Sequence, residues 1–284
     1  MTTVPAAAAS TRRRRRLPPF GVTVSIVILV AFVVTALFGH LFGLPDPYAQ
    51  SLIESLEGPS RAHPLGTDQL GRDMLSRIVA GSRYSLVIGL GAIAVGALTG
   101  VPLGMLAGYQ RGWLDQVVTR VIDVFLAFPG IILALVIVAI LGPGLSSLVL
   151  AVGLRSFPIF ARVARAETLA LREREYVQGA RALGSRAARV LGRHVFPNLA
   201  SALMVIATLQ MATAILIGAT LTFLGVGISP ELPEWGAMMN AARPYMLRAP
   251  LLIVIPGLAL MLVMFALNLV GDYVRDRADP FSAR

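Results

Sequence analysis

At 284 residues, 56% hydrophobic and only 14% charged, the chain carries far less charge than an ordinary soluble domain, about a quarter of which is charged, and reads as a polytopic membrane protein. Its net charge of +10 comes from basic residues dispersed between apolar runs, which suits a lipid bilayer as partner and not a nucleic acid. There is no cysteine, which excludes disulfides and thiol catalysis, and all 25 basic residues are arginine, so the lysine of a phosphate-binding P-loop is absent.

In chain order, residues 1–16 carry the run Arg12 to Arg16 and are expected to be a disordered basic segment in the cytoplasm. The apolar stretch that follows is too long for a signal-peptide core and has no small-residue cleavage site, so 17–43 is expected to be an uncleaved first span. Residues 44–83 form an amphipathic extracytoplasmic segment. Span two, 84–109, carries Gly96, Gly100, Gly104 and Gly108, a glycine every fourth residue that suits close helix packing; a substrate path along the same groove is the other reading.

The next apolar stretch is interrupted by Gly142-Pro143-Gly144, a strong breaker, and is read as two hairpin helices, span three at 115–141 and span four at 145–166. Pro129 and Pro256 are expected to kink spans three and six. Arg155 lies in span four, about 15 Å beyond Leu145 at the usual helical rise. Its residues alone permit two readings: contact with a substrate carboxylate in a pathway, or an ion pair or hydrated cavity within the bundle.

Between spans four and five stands a loop, 167–197, that concentrates arginine. Glu173 to Leu183 suits a short helix, Gly184 can bend it, Ser185 can cap a second helix, and Pro197 is expected to separate that helix from span five. On a helical wheel Arg189 and Arg193 fall within about 60° of Arg186, while Ala187, Ala188, Leu191 and Val195 lie opposite. Composition leaves two uses open, a membrane-surface helix or an elbow for a soluble motor.

Span five is placed at 198–226, an outer loop at 227–248, span six at 249–271 and a tail at 272–284. With the N-terminus inside, 19 arginines fall on the cytoplasmic side and six outside, so both termini are expected in the cytoplasm. Acidic residues are missing at mid-depth, which speaks against an ion-coupled carrier or channel. Three scattered histidines and no paired intramembrane carboxylates offer no catalytic or metal-ligating set, so no cofactor is expected on this chain and it is not read as an enzyme.

The stretch EYVQGARALGSRAARVLGRHVFPN, 175–198, resembles the cytoplasmic loop of bacterial ABC importer membrane subunits. Gln178, Gly179 and Ala180 stand where that pattern has Glu-Ala-Ala, a departure at two positions; Gly184 and Phe196-Pro197 match. HPLGTDQLGRDMLSRIVAGSRYSLVIG (63–89), TFLGVGISPELPEWGAMMNAAR (222–243) and FALNLVGDYVRDRADP (265–280) are similar to the C-type permease subunit of dipeptide and oligopeptide importers.

That resemblance implies an all-α integral membrane protein with the type I ABC importer permease fold: six transmembrane helices, a core at 84–272, and a cytoplasmic coupling helix between helices four and five. It implies a location in the bacterial inner membrane and a homologous B-type permease subunit as partner. Two ATPase subunits or domains holding ATP and Mg, and an extracytoplasmic substrate-binding protein, complete the implied assembly. Tyr176, Gln178, Gly179, Ala180, Leu183, Gly184, Arg189, Arg193 and Pro197 are the implied coupling residues; for 63–83 and 229–248 two readings stay open, amphipathic interfacial packing or a binding-protein contact through Glu234 and Trp235. Related importers carry dipeptides, oligopeptides, nickel chelates or glutathione.

Overall fold

The computed structural model describes residues 19–278, so Arg12 to Arg16 and Arg284 lie outside the described residues. Ten α-helices follow one another without a named strand among the described residues. The first, α1 (Phe20–Phe38), buries Val22, Ser25, Phe32 and Ala36 along one stripe, while most of its other side chains remain exposed and apolar. In a bilayer such a surface is at home in lipid, and the helix needs only one packed face.

Helix α2 (Met74–Gln110) begins at Met74, not at residue 84 as expected. Its early start rests on a polar knot built from residues 63–77. The Asp73 carboxylate caps the helix, accepting from the Ser76 N–H and Ser76 hydroxyl at 2.7 Å each, and it pairs with His63 Nδ1 at 2.9 Å. Burial raises the Asp73 pKa, but the bonds from Ser76 and His63 outweigh it and hold this carboxyl below its ordinary value. Asp68 accepts from Arg72 Nε at 2.6 Å and pairs with Arg77 Nε at 3.5 Å. Arg77 also donates to the carbonyls of Pro47 and Glu231, at 3.0 and 3.4 Å, so this arginine ties three separate segments together. Polar residues of the segment expected to be amphipathic are therefore the mortar of this end of the bundle.

The most extensive helix pairing joins α2 to α5 (Leu145–Arg172). A Cβ at Gly100 would stand 2.6 Å from the Phe157 carbonyl oxygen, and one at Gly104 would overlap the Ala161 carbonyl. The glycine ridge thus serves close packing, and α5 fills the groove that the other reading reserved for substrate. Without a hydrophobic drive between helices in lipid, this backbone approach is what holds them.

Helices α3 (Gly112–Ala127) and α4 (Gly130–Leu141) meet at a 95° bend, far sharper than a proline kink within one span. Phe128 is extended at φ −87° and ψ 137°, the conformation the residue before a proline favours, and that ends α3 outright. The pair still connects opposite ends of the bundle. Asp115 binds Arg165 near the end of α5, whereas Gly144, just beyond α4, donates to the Gly227 carbonyl beside the start of α5.

After α5 come α6 (Glu175–Ala182), α7 (Ala187–Val190) and a π-helical turn (Leu191–Val195) that leads into α8 (Phe196–Phe223). A short α9 (Trp235–Ala242) and the final α10 (Leu251–Ala278) close the bundle. Among the described residues five helical runs are long and apolar enough to cross a membrane, six if the bent α3–α4 pair counts as one broken span. The ends of α2, α5 and α10 and the starts of α3 and α8 lie together with residues 173–197; we refer to this as the elbow end.

Candidate coupling elbow

The elbow is shaped by its glycine. Gly184 has φ +77°, its N–H donates to the Arg181 carbonyl at 2.9 Å, and the Ser185 N–H reaches the Ala180 carbonyl at 3.0 Å. Those two bonds form a Schellman C-cap, which stops α6 and turns the chain into α7. Nothing lies within 4 Å of a Cβ placed at Gly184, so the requirement for glycine there is one of backbone and not of space.

Two expectations about the second arm are corrected. Ser185 makes no side-chain cap; α7 starts after Arg186, whose backbone is extended at φ −63° and ψ 146°. Pro197 does not separate α7 from α8. Residues Ala187–Phe223 run on as a single 37-residue helical body. The reason lies in the π-turn: the Phe196 N–H bonds to the Leu191 carbonyl five residues back, which widens the backbone just before a proline that would otherwise crowd the carbonyl of Arg193.

Apolar side chains seat the elbow on the bundle. Val177, Val190, Leu191, Val195 and Leu199 are buried in one cluster with Val101, Met105, Phe160 and Ala164, from the ends of α2 and α5. Of the expected apolar side, Leu191 and Val195 are buried but Ala187 and Ala188 are exposed, and Val190 takes their place. On the outer side Tyr176, Gln178, Gly179, Leu183, Gly184, Arg189, Arg193 and Pro197 are exposed, and Ala180 is half-buried. Leu183 is 89% exposed and forms an apolar tip at the bend.

A set of contacts that sequence reasoning missed ties the elbow to the turn between α2 and α3. Arg111 Nη2 pairs with Glu173 Oε1 at 2.7 Å, Arg172 donates to the Tyr109 carbonyl at 2.7 Å, and the Arg181 guanidinium lies 5.6 Å from the centre of the Tyr109 ring. Gln178, at the position of the departed Glu, donates to the Glu173 carbonyl at 3.2 Å. The charge alternation at 172–175 was a visible signal, but its partners stand some sixty residues earlier, at 109–111.

At Glu234 and Trp235 the packing reading holds and the binding-protein contact does not. Glu234 and Trp235 are buried at 1% and 2% exposure and offer no surface to another protein. Glu234 caps α9, accepting from the Ala237 N–H at 2.8 Å and the Thr222 hydroxyl at 2.6 Å. Burial pushes its carboxyl above the usual carboxylate range, against those two bonds. The Trp235 indole N–H donates to the Ile78 carbonyl at 3.1 Å, and its ring packs against Phe32. Both residues join α9 to α2 and α8.

Arg155 stands alone near the middle of α5. Its Nε and Nη1 are shielded from solvent and have no hydrogen-bond partner, and no described carboxylate pairs with it. No group of histidine and acidic side chains among the described residues could hold a metal.

Comparison with known proteins agrees with this architecture. Residues 100–283 match the family described as binding-protein-dependent transport system inner membrane component. The glutathione transport system permease protein GsiD of Pectobacterium atrosepticum is 46% identical over 224 residues, 79% of this chain and 74% of that protein. The dipeptide transport system permease protein DppC of Alkalihalophilus pseudofirmus is 40% identical over 257 residues, 90% of this chain and 84% of that protein. An inward-facing structure of the MetNI methionine ABC transporter superposes with a TM-score of 0.58 at 19% identity, covering 72% of this chain and 98% of that one, which is a likeness of fold. The chain therefore belongs to the binding-protein-dependent transport system inner membrane components, the permease subunits of ABC importers.

Proposed function

We propose that this permease forms one half of a transmembrane pathway for small peptides, and that ATP hydrolysed on separate cytoplasmic subunits drives it through the elbow. The observation that carries the reading is the elbow's build. Its apolar side is locked into the bundle by Val177, Val190 and Val195, its outer side exposes Tyr176, Leu183, Arg189 and Arg193, and its second arm continues unbroken into a span. A push on the exposed side is thereby delivered to the bundle. A helix that merely lay on lipid headgroups would need no such seat or continuity.

The elbow end is the cytoplasmic end in this reading. Arg111, Arg174, Arg181, Arg186, Arg189 and Arg193 are exposed there, whereas of the arginines in the outer segments Arg72 and Arg77 are buried against Asp68 and Arg61, Arg83, Arg243 and Arg248 are exposed. The partners are a homologous permease subunit, two ATPase subunits or domains that hold ATP and Mg, and an extracytoplasmic binding protein. Peptides are the favoured substrate class because relatives named for dipeptide and for glutathione transport stand at 40% and 46% identity.

The test is reconstitution of both permeases, the ATPases and the binding protein in proteoliposomes, with uptake of labelled dipeptide and glutathione followed with and without ATP. Uptake that needs ATP and the binding protein is the expected result. Uptake by this chain alone, driven by an ion gradient, would overturn the reading. Titration of the cognate binding protein with the same compounds then identifies the substrate.

A further inference from the structure

We infer that the cavity between the end of α1 and the start of α2 binds the headgroup of a zwitterionic phospholipid of the phosphatidylethanolamine type, its phosphate on Arg83 and its ammonium on Asp46. The cavity, about 440 Å³, lies at the end of the bundle away from the elbow, enclosed by the end of α1, residues 44–48 and the stretch 76–84 of α2. That is headgroup level, because the apolar run Phe20–Leu41 stops there and α2 carries no charged residue from Tyr84 to Gln110. Its volume falls in the range of small-ligand pockets.

The lining supplies both charges and a donor. Arg83 is exposed, and its guanidinium has no hydrogen bond or ion pair among the described residues. Asp46 uses one carboxylate oxygen to accept from the Tyr48 N–H at 2.9 Å, and the other has no partner among the described residues. The hydroxyls of Tyr48 and Tyr84 stand 3.1 Å apart, so one phenolic proton is spent between them and the other remains for an outside acceptor. Burial and the Tyr84 hydroxyl push the Tyr48 phenol up to about 12, which keeps it protonated at physiological pH. A guanidinium with a phenolic donor suits a phosphate, and a free carboxylate suits an ammonium.

The rim of the cavity favours a lipid over a soluble zwitterion. Leu37, Phe38, Leu41 and Phe42 are exposed and alternate along the chain with the lining residues Ala36, Gly39 and His40. Acyl chains would cover that apolar surface, and a water-borne peptide has nothing to lay on it. Helix α1 packs mainly against α2 and α10 and turns the rest of its surface outward, so the cavity opens at the edge of the bundle, where lipid is the neighbour. The tyrosine pair stands at the depth where membrane proteins carry their aromatic belt.

The test places the assembled importer in vesicles of phosphatidylglycerol with a trace of phosphatidylethanolamine that carries a diazirine near the carbonyl of one acyl chain. After irradiation, peptide mass spectrometry should find residues 35–48 and 74–84 taking the largest share of the label on this subunit. Arg83→Gln and Asp46→Asn should each lower that share at least fivefold, whereas Arg248→Gln, at an exposed arginine just before α10, should leave it unchanged. Unlabelled phosphatidylethanolamine should compete, and water-soluble glycerophosphoethanolamine at the same concentration should not. Label spread evenly over the lipid-facing helices, a share unmoved by Arg83→Gln, or an equal fall with Arg248→Gln would overturn the inference. Competition by glycerophosphoethanolamine would assign the cavity to a soluble ligand and overturn it as well.

Discussion

Replacing Gly184 by valine isolates the elbow's backbone from everything else. At φ +77° an L-residue pays about 1–2 kcal/mol for the left-handed conformation, with a β-branched residue at the upper end. Because no atom lies within 4 Å of the new Cβ, steric overlap within the chain adds nothing. A cost of about 2 kcal/mol lowers the bent population about 30-fold where the bend is otherwise marginal. The expected outcome is a protein that inserts and assembles normally, yet loses most binding-protein-stimulated ATPase activity and ATP-driven uptake in proteoliposomes. Asparagine tolerates this backbone region, so Gly184→Asn should work nearly as well as wild type. Normal uptake by Gly184→Val would refute the reasoning. Equal failure of Asn and Val would also refute it, since any side chain would then obstruct a bound ATPase regardless of backbone preference.

Three further outcomes follow from the packing and the buried carboxylates. Gly104→Leu must push α2 off the Ala161 carbonyl at a cost of about 1–3 kcal/mol and should yield little monodisperse protein on size exclusion, whereas Gly21→Leu, on an open face of α1, should behave as wild type. The Glu234 carboxyl titrates above its unfolded value, so its contribution to stability is full below that unfolded value and is lost as pH rises through the folded one. Glu234→Gln should therefore melt no lower than wild type near neutral pH and flatten this dependence, while Glu234→Ala, leaving the Ala237 N–H without its cap, should lose about 1–2 kcal/mol. Asp73 is shifted the other way, and its stabilising contribution, present above the unfolded carboxylate range, is lost as pH falls through its lower folded value. Thermal melts of Asp73→Ala should show a loss of about 1–2 kcal/mol at neutral pH that shrinks as the medium is acidified below about pH 4.

What could be read from the residues was whatever is local or periodic. The glycine ridge of α2, the breaker at Gly142-Pro143-Gly144 and the bend at Gly184 all announce themselves by spacing or by residue type. The misreading of Glu234 and Trp235 has one cause, which is that the deciding partners stand on other helices. Glu234 looks like a loop acid until Thr222 and the end of α8 are placed beside it, and Trp235 looks like an interface residue until Ile78 offers its carbonyl. Pro197 marks a helix start by rule, and only the π-turn over Leu191–Val195 lets the helix pass it. The knot of Asp68, Arg72, Asp73 and Arg77 was within reach, for Asp73 ahead of an apolar run has the signature of a helix cap, and Asp68 and Arg72 are spaced to pair. At Pro129 a kink was legible from the proline, but its 95° sharpness was not, because hydropathy counts apolar residues and is blind to direction.

The unbroken run from Ala187 to Phe223 gives the proposed mechanism a single bar to work with. At 1.5 Å per residue its 37 residues make a bar about 55 Å long, so a tilt of only about 5° about one end carries the other through about 5 Å. The distal tip is not loose. Thr222, next to the bar's last residue, is clasped by Glu234 at the head of α9, and α9 is pinned to α2 through Trp235. In the proposed mechanism a small stroke at Arg189 would reach the opposite mouth of the bundle through these side chains.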